Sequence, residues 1–379
     1  MEFYSAQIER IKSKLKQARE ADKSLAVFGA DQHRYIVGPP VSEQQVWAFE
    51  AAYGLELPLA YKLFVTQVGN GGKSYRESAA GPYYGIYKFG EEVDDIIDDP
   101  QHYLARPATL FPGLTAEHWT ALTAAIEADD CSDEVFAEQI NILYQGLLPI
   151  GSQGCTYVTA LVVSGEHKGR VVYLDQDRYL PRFAFEANFL DWYERWLDEV
   201  IRGYLQQDGP SWFGYSRAGT EDELMAQYQA TTDEELRLEY LNGFFKLPTI
   251  HTGAQDFLAA ESENPNEPIR TMALQLLTKY AYASAKSRLK EEFQRMPLPV
   301  LKYVHWYAKS YALDWQPELQ ALFASGIQDP DLFYFATYVL RNGPSNVEQL
   351  LLPYTTHPNE TIRKSAVYTL NQHGYKWPL

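Results

Sequence analysis

Cysteine is scarce in this chain: Cys131 and Cys155 are the only two among 379 residues, and they form no C-x-x-C pair. That excludes a disulfide framework and a paired-thiol redox motif. Long apolar runs are missing as well; nothing approaches the ~20 consecutive apolar residues of a membrane-spanning helix. The eight histidines (33, 102, 118, 167, 251, 305, 357 and 373) are scattered, with no H-E-x-x-H and no pair at helical ligand spacing. They read as surface or interface residues, and no metal site is expected. Basic residues are outnumbered, 33 Lys and Arg against 50 Asp and Glu, for a net charge of −17. Nucleic acid and anionic membranes both demand a basic face, so neither is expected as a partner. A basic protein fits better, although acidity by itself also keeps a protein soluble. The start, Met1-Glu2-Phe3-Tyr4-Ser5, lacks the basic segment and apolar core of a secretory signal, and the cytoplasm is the expected compartment.

What the chain does have is aromatic residues, 14% of the total with 28 Tyr, which suit a contact-rich surface as well as solvated helix faces. Its organising stretch is Gly146 to Asp177. The runs Tyr157–Val163 and Arg170–Leu174, separated by Ser164-Gly165-Glu166-His167-Lys168-Gly169, predict a β-hairpin. Pro149 to Gly154 upstream reads as a tight turn, and Asp175-Gln176-Asp177 as the solvent end of the sheet. The apolar positions 189, 192, 193, 196 and 197 fall on one stripe of a helix that begins near Asn188 and covers this sheet.

In chain order, a helix is expected over residues 2–21 with Ile8, Ile11 and Leu15 on one face, then strand and turn over Ser24–Arg34. Ser42 and Gln45 have the capping-box spacing before a helix ending at Gly54, and Leu57-Pro58 opens another that stops at Gly69. Gly81 to Tyr87 reads as an aromatic strand region. Acidic segments 91–99 and 127–134 would form one negative patch if they fold side by side. A break at Gln206 to Pro210 divides an α+β domain (1–208) from a linker (209–219) and an all-α domain (220–379). There Leu236-Arg237-x-x-Tyr240-Leu241, Ile269-Arg270-x-x-Ala273-Leu274 and Ile362-Arg363-x-x-Ala366-Val367 repeat at offsets of 33 and 93. A period near 30 residues places further units near 300 and 331, as in an α-solenoid resembling HEAT-like repeats.

The chemistry-bearing candidates are few. Gly71-Gly72-Lys73-Ser74 ends like a phosphate loop, but Gln67 stands where the first glycine should be and no helix follows. Cys155 lacks a base and reads as a small residue entering a buried strand. Asp175 and Asp177, two apart on a strand end, would point to one side, as a carboxylate pair or as ordinary turn residues. No catalytic residue and no cofactor is expected, and a hydrolase using those two aspartates is the weakest of the readings.

The helix Val46-Trp47-x-Phe49-Glu50 with Gly54 and Leu57-Pro58, then Tyr61-x-x-Phe64 leading to Asn70-Gly71-Gly72, belong with a later set: Leu148-Pro149-Ile150-Gly151, Gly154-Cys155-Thr156-Tyr157, Gly169-Arg170-Val171-Val172-Tyr173 and Phe189-Leu190-Asp191-Trp192. In order and spacing, residues 40 to 200 resemble the SUKH superfamily, in particular its Smi/Knr-like group, with 100–146 as an insertion. The resemblance implies an α+β fold with a curved mixed sheet flanked by helices. It also implies a non-enzymatic role in bacteria, binding and neutralising a polymorphic toxin; fungal members look like regulators of cell-wall synthesis and signalling. Many such toxins are basic nucleases, which suits an acidic inhibitor. The expected partner face comprises Tyr83, Tyr84, Tyr87, Asp94, Asp95, Asp129, Asp130, Asp175 and Asp177. The competing expectation is an intracellular scaffold or regulator that joins two cellular proteins.

Overall fold

The computed structural model describes residues 2–206, 212–342 and 347–375, and the chain separates into two compact units, Met1–Ala218 and Gly219–Leu379. Part of the expected break and linker, residues 207–211, lies outside the described residues. The first unit is α+β. Its helices are α1 (Glu2–Ala21), α2 (Ala30–His33), α3 (Glu43–Tyr53), α4 (Leu59–Leu63), α5 (Pro100–Tyr103), α6 (Ala116–Thr123), α7 (Asp133–Tyr144) and α8 (Phe189–Ile201). Four strands, β1 (Leu147–Gly154), β2 (Tyr157–Val162), β3 (Val171–Asp175) and β4 (Arg182–Phe183), lie in the order β1-β2-β3-β4. The pairing is antiparallel throughout, not mixed, with Val158 opposite Leu174 and Val172 opposite Phe183.

Local chemistry explains most of these elements. Ser42 caps α3 by accepting from the Gln45 amide while the Gln45 side chain accepts from the Ser42 amide, and Gly54 closes the helix at φ 66°. A left-handed residue there satisfies the last carbonyls without a Cβ clash. The β2–β3 hairpin forms as its sequence predicts. Every β3 residue is buried, because both faces of the sheet are covered.

Helix α8 is the centre of the core. Phe189, Leu190, Trp192, Tyr193, Trp196 and Leu197 are all buried, and the Trp192 indole N–H donates to the Tyr173 hydroxyl of β3 at 2.7 Å. Helix α1 packs along α8, burying Ile8 and Ile11 and closing on Glu194. That carboxylate accepts from Arg10 Nε (2.9 Å), Lys14 Nζ (2.9 Å) and Gln7 Nε2 (3.1 Å). Burial alone would raise the Glu194 pKa; the hydrogen bonds from Arg10, Lys14 and Gln7 overcome it and hold the group below its ordinary value.

Four expectations are corrected. Pro149 to Gly154 is not a turn but the bulged outer half of β1, with register shifts at 149/151 and 152/154. An edge strand tolerates Pro149 because no amide is needed there. Gly81 to Tyr87 is not a strand: only Ala79 and Ile86 bridge, while the Tyr84 and Tyr87 amides donate to the Ser152 and Ile150 carbonyls and cover the β1 edge. Ser24–Arg34 contains turns and α2 instead of a strand. His33 is buried, not superficial; its ring packs edge-on against Trp196, and burial pushes its pKa down to about 4.

The second unit is helical throughout its described residues. Helices α9 (Glu221–Ala230), α10 (Glu234–Gly243), α11 (Thr252–Glu261), α12 (Glu267–Tyr280), α13 (Tyr282–Phe293), α14 (Pro297–Tyr307), α15 (Gln316–Ala324), α16 (Pro330–Arg341), α17 (Val347–Leu351) and α18 (Glu360–Gln372) alternate between two layers. Helix α10 packs on α12, α12 on α14, α14 on α16 and α16 on α18. The starts of these five helices, 234, 267, 297, 330 and 360, are spaced by 33, 30, 33 and 30 residues. Four of the five begin at a side-chain cap, Asp233, Asn266, Asp329 and Asn359, and this recurring cap keeps the helix starts in register.

Candidate functional site

Part of the expected set, the two acidic segments and the strand-end aspartates, comes together at one end of the four-stranded sheet, where the β1–β2 turn meets the turn after β3. Gly154 (φ 97°) and Cys155 (φ 50°) make the first turn. Cys155 is therefore exposed at a turn, not buried in a strand. The second turn crosses it: the Gln176 amide donates to the Thr156 carbonyl at 2.9 Å. Asp175 is buried and its Oδ1 accepts from the Asp177 amide at 2.9 Å, while Asp177 is exposed beyond the strand. The two carboxylates do not share a side, because the chain turns immediately after Asp175; the turn consumes one and frees the other.

The same turn brings the two acidic segments together. The Gln176 side chain donates to the Asp95 carbonyl at 3.0 Å, and Arg178 Nε pairs with Glu127 at 2.5 Å. The Trp119 indole N–H donates to the Arg178 carbonyl at 2.9 Å, fixing α6 to the turn. Within segment 91–99, Arg76 pairs with both Glu92 and Asp95, so Asp95 is spent locally. Asp94, Asp129, Asp130 and Asp177 are exposed and make no ion pair among the described residues. Four carboxylates thus face water, while the cations Arg76 and Arg178 beside them are already paired to Glu92, Asp95 and Glu127.

Of the three expected tyrosines, two belong to the interior. Tyr83 is buried and its hydroxyl donates to the Phe213 carbonyl at 2.7 Å. Tyr87 is buried against Asp95 at 3.2 Å, and burial, reinforced by Asp95, raises its phenol well above the ordinary value. Tyr84 alone is partly exposed. It begins an aromatic track that sequence reasoning missed: Tyr84 to Phe28 at 5.4 Å between ring centroids, Phe28 to Trp212 at 6.1 Å, Trp212 to Tyr215 at 6.5 Å. Phe28, Trp212, Tyr157 and Tyr179 are exposed. Tyr157 joins the track to the acidic turn, since a hydrogen bond to Asp175 raises its phenol pKa. The available signal was the run Trp212-Phe213-Gly214-Tyr215, too aromatic for a linker; Phe213 belongs to the first unit's core.

Acidic turn and aromatic track make a wet rim beside flat, rigid rings, the composition of a protein-binding surface. Among the described residues no group of three or more His, Cys, Asp or Glu is placed to hold a metal, and no helix is long and apolar enough to cross a membrane. No curated protein and no solved structure matches the chain. Residues 40–195 match the model of the SMI1 / KNR4 family (SUKH-1), a span that opens just before the Ser42 capping box, takes in all four strands and closes inside α8. The domain built on residues 40–195 belongs to the SMI1 / KNR4 family (SUKH-1).

Proposed function

We propose that this protein is a non-enzymatic immunity protein, acting in the cytoplasm, whose first unit binds and neutralises a basic toxin domain of the nuclease type. The observation that carries the reading is the acidic turn: two segments far apart in sequence converge on residues 175–178 and leave Asp94, Asp129, Asp130 and Asp177 facing water. A nuclease must be basic to hold phosphate. An acidic face beside exposed rings would attract such a domain over a distance and then bury its aromatic anchors. The SUKH-1 membership supports protein binding as the mode of action.

A second reading, a scaffold or regulator of cell-wall synthesis or signalling, draws support from the second unit. Its two helix layers and its 33- and 30-residue spacing suit HEAT-like repeats, which present long binding surfaces. The two readings separate by gene neighbourhood and by capture from the native cells with tagged full-length protein. Immunity expects a basic toxin domain, encoded beside this chain, to be recovered. Replacing Asp94, Asp129 and Asp130 together by Lys should then weaken binding at least tenfold, about 1.4 kcal/mol, and flatten its salt dependence. Unchanged affinity removes the acidic face from the mechanism, and recovery of ordinary cellular proteins alone favours the scaffold.

A further inference from the structure

In the second unit, three successive helices of one layer carry an outward stripe that its core does not use. On α14 it comprises Lys302, His305 and Trp306; on α16, Tyr334, Phe335, Tyr338 and Arg341; on α18, Tyr368. Rings touch between α14 and α16 and along α16. Trp306 lies 6.2 Å from Phe335, His305 4.7 Å from Tyr338, and Tyr334 4.5 Å from Tyr338. The Arg341 guanidinium sits over both Tyr338 (4.8 Å) and Tyr368 (5.2 Å), and the Lys302 ammonium over Phe335 (5.2 Å). Trp306, Tyr334 and Tyr368 remain 48%, 45% and 51% exposed, so the stripe is a surface and not a buried layer.

Its charge is the reverse of the chain's. With 50 Asp and Glu in the sequence, α14 contains none, and α16 and α18 contain one each, Asp331 and Glu360, both in the first turn. Glu360 is paired with Lys364. Burial lowers the His305 pKa, and the charged neighbour acting on it is the cation Lys309. The buried His305 Nδ1 and Arg341 Nε have no hydrogen-bond partner, while Arg341 Nη2 donates to the Thr369 hydroxyl at 2.8 Å. A stripe of rings edged by cations, kept clear of carboxylates in a protein of net charge −17, calls for an occupant with negative charge and flat or apolar side chains.

We propose that this stripe docks an extended acidic segment of a partner protein, its apolar or proline side chains lying on the rings of Trp306, Tyr334 and Tyr368 and its carboxylates meeting Lys302, Lys309 and Arg341. Rings lose little conformational freedom on contact and suit extended chains, as aromatic grooves that take proline-rich segments do. The net charge of −17 disfavours an acidic segment on the protein as a whole, so a stripe clear of carboxylates supplies location as well as attraction. Three cations are too few for a polynucleotide against so negative a background. The inference is independent of the toxin reading, which concerns a basic partner and the other unit.

The test is selection of short random peptides displayed on phage against the immobilised full-length protein, followed by fluorescence anisotropy with the enriched peptides. Enrichment of sequences combining Asp or Glu with Pro, aromatic or aliphatic residues is expected. Their affinity should fall with added salt and drop roughly tenfold or more in Trp306→Ala and in Lys309→Glu. Both sites are exposed, and circular dichroism melting should show the variants as folded as the parent. Enrichment of neutral or basic sequences, failure to enrich any, or unchanged affinity in both variants overturns the proposal. Self-association of the full chain lost in the same variants overturns it too, because the occupant would then be a second copy.

Discussion

Glu194 tests how the first unit holds its first helix, α1. Its carboxylate receives four hydrogen bonds, two from Arg10 and one each from Lys14 and Gln7, and its side chain is 11% exposed. Replacing it by Ala leaves Lys14 with Asp198 and Gln7 with Asp191, while Arg10 is left without Glu194. A charged hydrogen bond contributes about 1.5–3 kcal/mol, but Arg10 is half in water and its share is heavily screened. The net loss expected at neutral pH is therefore about 2–3 kcal/mol, with Glu194→Gln losing roughly half as much because an acceptor oxygen remains. The folded pKa lies below the ordinary 4.5, so the contribution is complete above that value and disappears as pH falls through the lowered one. Urea unfolding followed by tryptophan fluorescence, to which Trp192 and Trp196 about half a helical turn to either side contribute, should show parent and Ala variant converging as pH falls below the ordinary 4.5. A loss under about 0.5 kcal/mol at neutral pH, or one that persists undiminished in acid, would refute the clamp.

Two further substitutions probe geometry. A Cβ at Gly151 would stand 2.4 Å from the Gly85 carbonyl oxygen, so Gly151→Ala should cost about 1–3 kcal/mol, read as a lower urea midpoint with an unchanged slope; a neutral outcome would mean that the 84–87 segment is free to move off the β1 edge. In the second unit, Asn266→Ala and Asn359→Ala each remove a helix cap and should each cost about 1 kcal/mol. The caps sit on helices separated by two others, so their thermal-melt effects should add within about 0.5 kcal/mol; strong coupling would contradict neighbour-only stacking.

What could be read from the residues was whatever is decided locally. The capping box at Ser42, the Gly54 stop, the β2–β3 hairpin, the amphipathic start of α8 and the helical period all depend on spacing within a few turns of chain. What escaped was decided by distant partners. Pro149, Gly151 and Gly154 look like turn formers until the neighbouring 84–87 segment is known to need close backbone approach to an edge strand. Tyr83 and Tyr87 look like surface aromatics until Phe213 and Asp95 are seen to take their hydroxyls. At the site, the acidic character of both segments was legible, but their meeting was not. It depends on Gln176 and Arg178 reaching residues 81 and 51 positions away. Trp212 and Phe28 were missed because glycine and proline around the first, and turn-like surroundings of the second, outweighed the aromatic signal.

The docking of α1 on α8 also bears on how the chain is made. The bonds from Gln7, Arg10 and Lys14 to Glu194 span 187, 184 and 180 residues. A ribosome adding about 5–20 residues per second therefore exposes the apolar face of α1 for roughly ten seconds or more before its partner helix emerges. During that interval α1 lacks the helix that it packs along, and the first unit cannot close from one end. The second unit faces no such delay, because each helix meets its neighbours within one or two repeats of its own synthesis. A cell making this protein must shelter its beginning while its end assembles almost as fast as it appears.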